Sequence, residues 1–210
     1  PLQDRALTLD MHPLVRNYFG KQVCSHTPEA WRVAHGRLYE HFSRSAEPYP
    51  STFEGLQPLY RAVAHGCQAG RHAEALRDVF RPRIQQDEKY LSTKKLGLFD
   101  ADLALFACFL NPTWTEAVPE VGPEDGARLL AGASFCLRAQ GRHHDACRAI
   151  GSAVDSFRER QDYRRAAMAE RIRSQIILDM GELRRALESA YRARKFADLS
   201  KNAFERATTR

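Results

Sequence analysis

The chain lacks the short signatures on which much enzyme chemistry is built. None of its 210 residues forms a GxxxxGK(S/T) loop to cradle a nucleotide phosphate, a GxSxG elbow or an HExxH helix. Walker-loop ATP hydrolysis, elbow-serine hydrolysis and zincin-type proteolysis are therefore excluded from this stretch. No apolar run is long enough to cross a bilayer, and there is no signal peptide. The five cysteines, Cys24, Cys67, Cys108, Cys136 and Cys147, form no CxxC pair and leave one over in any disulfide scheme. They read as reduced, mostly buried thiols serving as small apolar residues, with Cys136 and Cys147 on facing helices of one hairpin. His143 and His144 point apart, and His35 with His41 and His65 with His72 miss the four-residue spacing that sets two ligands on one helix face, so no metal site is expected. The chain starts at Pro1 and reads as a piece of a larger cytoplasmic protein, cut before the polar cap that ends a repeat array.

What the chain does have is a recurrence. Gly70 to Ala75, Gly141 to Ala146 and Gly181 to Ala186 each set a glycine five residues before an alanine, between two helix-like runs. Glycine at the end of a helix takes the left-handed conformation without steric cost. The alanine sits where two helices cross too closely for a larger side chain. The spacings between glycines are 71 and 40 residues, about two 34-residue periods and then one stretched unit. The fold class that follows is all-α, an irregular solenoid of helical hairpins. With 43% hydrophobic residues the chain has material for such an array.

Residues 7–11 alternate as a short strand does, and His12-Pro13 opens a helix whose apolar face is Leu14, Val15, Tyr18 and Phe19. Thr27 and Pro28 open a second helix, with Trp31, Ala34, Leu38, Tyr39 and Phe42 on its buried side. Residues 43–55 read as a loop. The first repeat runs from Leu56 through a helix bearing Leu76, Val79, Phe80 and Ile84, which Pro82 should kink or shorten. Leu96 to Leu110 reads as a buried helix without the glycine-alanine turn, and Trp114 anchors the proline-rich stretch 111–123. Helices are expected over 125–140, 143–160, 163–180 and 183–200, the last pair meeting through Ala167, Ile172, Ile176 and Ile177 against Leu183, Leu187, Tyr191 and Phe196. The tail from Asn202 can begin another helix.

Glycine, a medium-sized residue two positions on, then alanine resembles the turn and second-helix start of the tetratricopeptide repeat. That family's first-helix signature positions fall here on Leu59, Ala62, Val63 and Gly66, then on Leu130, Ala133, Ser134 and Leu137. In the third copy they fall on Glu170, Arg173, Ser174 and Ile177, which depart from the apolar pattern. The run Leu9-Asp10-Met11-His12-Pro13-Leu14-Val15-Arg16-Asn17-Tyr18-Phe19 resembles the end of the winged-helix domain in bacterial STAND ATPases, which are NB-ARC-like signalling NTPases. Residues Ser92 to Phe99 with the Asn-Pro-Thr-Trp loop also resemble a stretch of their repeat regions. The resemblance implies a winged-helix end over 1–24, a linking helix and loop over 25–55 and repeats over 56–210. It further implies that His12 contacts the phosphate of bound ADP in the full-length parent, where ADP or ATP is the expected cofactor; none is expected within this stretch. As a residue at a helix start, His12 also reads as a capping histidine.

The resemblance implies a non-catalytic sensor module that binds a protein or peptide ligand on its repeat surface and contacts the parent's ATPase core. Charge offers an alternative. Residues 1–157 balance 18 basic against 18 acidic side chains, so the net +6 resides in 158–210. Arg164, Arg165, Arg171, Arg173, Arg184, Arg185, Arg192, Arg194 and Lys195 could meet nucleic acid or an acidic ligand, or form a solvated helix face. Glu182 with Arg185 and Glu188 with Arg192 have the spacing of helix-surface bridges.

Overall fold

The computed structural model describes residues 12–208, so the strand expected over 7–11 lies outside the described residues. Within them the chain is a stack of helices: α1 (Pro13–His26), α2 (Pro28–Ser45), α3 (Phe53–Gln68), α4 (opening at His72–Glu74 and continuing over Ala75–Gln85), α5 (Phe99–Phe109), α6 (Pro123–Ala139), α7 (His143–Glu159), α8 (Tyr163–Asp179), α9 (Leu183–Ser200) and α10 (Ala203–Thr208). The only extended pairing among the described residues is an isolated antiparallel bridge between Leu110 and Ala117. The fold is all-α, built of antiparallel hairpins α3/α4, α6/α7 and α8/α9 packed side by side.

The hairpin turns follow from backbone geometry. Gly70, Gly141 and Gly181 have φ of 77°, 73° and 78°, and a Cβ built on any of them meets nothing within 4 Å. The left-handed conformation alone therefore demands glycine there. In each turn the next amide donates back to the carbonyl five residues earlier: Arg71 to Gly66 (2.8 Å), Arg142 to Leu137 (2.9 Å) and Glu182 to Ile177 (3.2 Å). This is the Schellman closure of a helix end. Gln161, with φ of 59°, makes the same turn between α7 and α8 without glycine, Asp162 donating to the Phe157 carbonyl at 2.9 Å.

Ala75, Ala146 and Ala186 are all buried on the second helices of their hairpins. How close those helices come is measured at Gly66, where an added Cβ would lie 2.9 Å from the Ala75 Cβ and 2.9 Å from a Tyr39 ring carbon. Gly132 lies as tightly under Phe106, with 2.6 Å from a built Cβ to the ring. Close packing at these seams leaves no room for a larger residue without displacement.

The 71-residue spacing has a structural cause. After α5 there is no second helix. In its place the chain folds as a loop from Leu110 to Gly122, with Trp114 buried in the core cluster. A π-helical turn, Leu91–Lys95, precedes α5, which is shorter than the apolar run suggests and begins only at Phe99. Pro82 neither stops nor sharply shortens α4. The helix widens to π-type hydrogen bonding over Ala75–Gln85, a geometry that relieves the crowding between a proline ring and the preceding turn. Arg83 then reaches back to donate to the carbonyls of Ser43 (2.7 Å), Ala46 (3.0 Å) and Glu47 (2.9 Å), satisfying the open end of α2.

Several predicted faces turn out differently. Helix extends to Ser45 and resumes at Phe53, which shortens the loop expected over 43–55. Thr27 does not cap α2; its hydroxyl donates back to the Val23 carbonyl instead. On α2 only Tyr39 is buried, Leu38 and Ala34 being exposed. On α1 Leu14, Val15, Tyr18, Phe19 and Val23 are exposed. On α9, Leu183, Leu187 and Tyr191 face outward, and the seam with α8 is lined by Ala186, Ser189, Ala193 and Ala197. The reason is spacing between helix axes: α8 and α9 approach so closely that only small side chains fit between them.

Candidate interaction surface

The first helix of each unit lies beside the next, giving a row α3, α5, α6, α8. Side chains tie the row together. The Tyr60 hydroxyl on α3 donates to Asp102 on α5 at 2.5 Å. Phe99 on α5 meets the Phe135 ring on α6 at 5.7 Å. Arg138 on α6 donates to Asp179 on α8 at 2.6 Å and to Gln175 at 3.3 Å.

The outer side of this row carries a repeated stripe. Arg128, Ala131, Phe135, Arg138 and Ala139 on α6 occupy the same helical positions as Met168, Arg171, Gln175, Leu178 and Asp179 on α8, each offset by the 40 residues between Gly141 and Gly181. Phe135, Met168 and Leu178 remain 43%, 41% and 52% exposed. Large apolar side chains held open between guanidinium and carboxylate groups are what an interface core with a polar rim requires. Phe135 thus faces solvent at its outer edge.

Behind the row lies a polar cluster that sequence periodicity did not reveal. Asp102 is fully buried within the apolar run of α5, accepting from Tyr60 at 2.5 Å and from the Ser92 hydroxyl at 2.7 Å. Burial raises its carboxyl above the usual carboxylate range, since removal from water penalises the charged form. Burial and then the charge of Asp102 likewise raise the Tyr60 hydroxyl, and burial pushes the Cys136 thiol up to about 12. The Tyr60, Ser92 and Asp102 side chains join α3, the π-helical turn and α5. All five cysteines are free, so Cys136 and Cys147 are not bonded.

The basic residues of the last two helices are largely committed. Arg165 pairs with Asp162 (2.7 Å) and Glu124 (3.3 Å), Arg192 with Glu170 (2.6 Å), Arg173 with Glu170 (3.6 Å) and Arg164 with Glu205 (4.0 Å). Arg185 pairs with Glu182 as the spacing suggested. Arg192, by contrast, reaches across to α8 rather than to Glu188. Arg171 on α8 and Arg184, Arg194 and Lys195 on α9 stand outside these pairs.

His12 caps α1, its Nδ1 accepting from the Leu14 amide at 3.3 Å, and its side chain is exposed. The structure brings together a histidine pair that local spacing had not joined: His35 on α2 and His65 on α3, with 2.8 Å between their Nδ1 atoms. Trp31 packs on His35 at 4.1 Å and Phe42 stacks on His65 at 5.6 Å. One ring must donate and the other accept, so both cannot be charged. Burial lowers both pKa values, and for His65 the charges of His35 and Arg61 add to the effect. Below the ordinary value of 6.5 the unfolded chain takes up protons that the folded pair refuses. The pair's contribution to stability is thus present above that pH and lost as pH falls through it. Denaturant midpoints measured between pH 8 and 5.5 should decrease toward acid, and His65→Gln should flatten that dependence.

Among the described residues no group of three or more His, Cys, Asp or Glu side chains is placed to hold a metal ion, and no helix is long and apolar enough to cross a membrane. Compared with known proteins, the chain matches no family model, no curated protein and no solved structure.

Proposed function

We propose that this chain is a non-catalytic recognition module, the sensor region of a bacterial, cytoplasmic STAND-type signalling ATPase, binding a protein or peptide segment along the outer face of α6 and α8. The observation that carries the binding reading is the set of Phe135 on α6 with Met168 and Leu178 on α8, apolar yet open to solvent on the outer side of the stacked array. Stacked hairpins suit this task because each adds one row of side chains to an extended surface. The parentage rests on the resemblance around His12. It is supported by the exposed apolar side of α1, Leu14, Tyr18 and Phe19, which in such a parent has an ATPase core to pack against. Ligand binding would then act on the nucleotide switch by favouring the state in which the face is free.

The test is selection of peptides from a random display library on the immobilised chain, followed by affinity measurement. Selected peptides should lose about tenfold or more in affinity for a Phe135→Asp, Leu178→Asp double variant. Peptides that bind both proteins equally would refute the proposed face. Fluorescently labelled duplex DNA and RNA at low salt test the nucleic-acid alternative, and no shift in anisotropy is expected.

A further inference from the structure

The second helix of one hairpin receives the first helix of the next, and α7 and α9 show that place filled and open. Counterpart positions on the two helices lie 40 residues apart, as Gly141 and Gly181 do. Gly151 on α7 is buried under α8, where a Cβ built on it would lie 3.7 Å from the Arg173 guanidinium carbon. Cys147 and His143, one and two turns earlier, are half-buried. Their counterparts on α9 are Tyr191, Leu187 and Leu183, which are 58%, 56% and 68% exposed. The helix that follows, α10, enters as α8 does. Lys201 and Gln161 both have left-handed φ, 54° and 59°. The Asn202 side chain accepts from the Glu205 amide at 3.2 Å, as that of Asp162 accepts from the Arg165 amide at 3.1 Å. Over its six residues, however, α10 leaves the three apolar side chains of α9 uncovered.

Charge beside this row is mostly of one sign. Leu183, Leu187 and Tyr191 recur every four residues and so share one side of the helix. Arg184 stands three residues before Leu187, and Arg194 and Lys195 stand three and four after Tyr191, so all three border the row. The ion pairs of α9 use Arg185, Arg192 and Asp198. Arg184, Arg194 and Lys195 therefore have no ion-pair partner among the described residues. Of the two acidic residues on α9, Asp198 lies 3.9 Å from Arg206, and Glu188 is the other.

We infer that this side of α9 docks an acidic amphipathic helix of a partner protein, seated on α9 as α8 is seated on α7. That the occupant is a helix follows from the equivalence of the two positions, since α9 presents to its outer neighbour the same ridge that α7 presents to α8. That it is acidic follows from charge. An apolar row on the partner would cover Leu183, Leu187 and Tyr191, and carboxylates flanking that row would meet three cations that nothing else engages. A second copy of this chain offers no such helix. Its own α9 carries five basic residues against two acidic, and α1, whose apolar side is also exposed, has no acidic residue. Two copies would bring like charges together.

The experiment uses the whole chain and, as probe, a fluorescently labelled helical peptide as long as α9, with leucine at every third or fourth position and glutamate on the flanks. Titration followed by anisotropy should show saturable binding. The same peptide with lysine in place of glutamate should bind about tenfold more weakly or worse, and a Leu187→Ser, Tyr191→Ser double variant should lose about tenfold for the glutamate peptide. Both positions lie outside the seam with α8, and circular dichroism verifies that the helices are retained. Arg184→Glu with Lys195→Glu should reverse the preference between the two peptides. The Phe135→Asp, Leu178→Asp variant should bind the glutamate peptide as the unaltered chain does, which separates this face from the one on α6 and α8. No saturable binding of the glutamate peptide, equal binding of both peptides, or a loss confined to the Phe135→Asp, Leu178→Asp variant would overturn the inference. So would a dimer in analytical ultracentrifugation that Tyr191→Ser abolishes, which would make a second copy the occupant. Capture of phosphatidylserine vesicles that Leu187→Ser, Tyr191→Ser abolishes, without binding of the peptide, would assign the face to a membrane instead.

Discussion

Trp114→Ala is expected to lower the free energy of unfolding by about 3–5 kcal/mol, the range for removing a buried tryptophan, as read from denaturant midpoints. The indole is only 7% exposed, and it occupies the space beside α5 where the other hairpins have a second helix. Short bonds close the loop around it: Asn111 donates to the Glu116 carbonyl at 2.9 Å, Trp114 to the Asn111 carbonyl at 3.0 Å and Val118 to the Phe109 carbonyl at 2.9 Å. The Asn111 side chain also accepts from the amides of Thr115 (2.9 Å) and Glu116 (3.2 Å). These bonds replace bonds to water and so contribute modestly. Ordering a dozen residues without regular structure opposes them. The buried indole, with the Arg142 guanidinium 5.6 Å from its centre, is what holds the loop down.

A second variant separates packing from backbone strain. Trp114 has φ of 60°, a conformation that a bulky residue adopts only when its surroundings enforce it. Glycine is free of that penalty, so Trp114→Gly should be less damaging than Trp114→Ala by up to about 1 kcal/mol, despite removing one more carbon. A loss below about 1 kcal/mol for Trp114→Ala would mean that the hydrogen bonds alone maintain the loop.

The hairpins of the second half could be read closely from the chain because their punctuation is local. A left-handed glycine and the amphipathic runs beside it place α6 to α9 within a few residues of their observed ends. Partnerships between helices leave no such local mark. Leu183, Leu187 and Tyr191 recur at helical spacing and were expected to be buried, yet Ala186, Ser189, Ala193 and Ala197 recur on the opposite side of α9 and form the seam. Where axes approach closely, small residues mark the contact and large apolar ones turn away. Asp102, and His35 with His65, acquire their surroundings from residues 10 to 42 positions distant. Only the order in which hairpins stack decides those neighbours.

Glu170 gives the sharpest case, since it stands where the other copies have Leu59 and Leu130, and it is as completely buried as Leu59. Its Oε1 accepts from the Ser189 hydroxyl at 2.9 Å and from Arg192 Nε at 2.6 Å, while Arg173 lies 3.6 Å from Oε2. The two arginine side chains remain 45% and 28% exposed, so the desolvation cost falls mainly on the carboxylate. Removing opposite members of this network should therefore shift stability in opposite directions. Arg192→Ala leaves a buried charge without its nearest cation and is expected to cost about 2–3 kcal/mol, below the range for fully enclosed pairs because water can enter from the exposed side. Glu170→Leu restores an apolar residue and leaves both guanidinium groups able to hydrate, so stability should hold or rise by about 1 kcal/mol. The double variant should recover most of the Arg192→Ala loss, because the uncompensated carboxylate that caused it is gone. If Glu170→Leu proved as destabilising as Arg192→Ala, the carboxylate would be contributing more through its bonds to α9 than its burial costs.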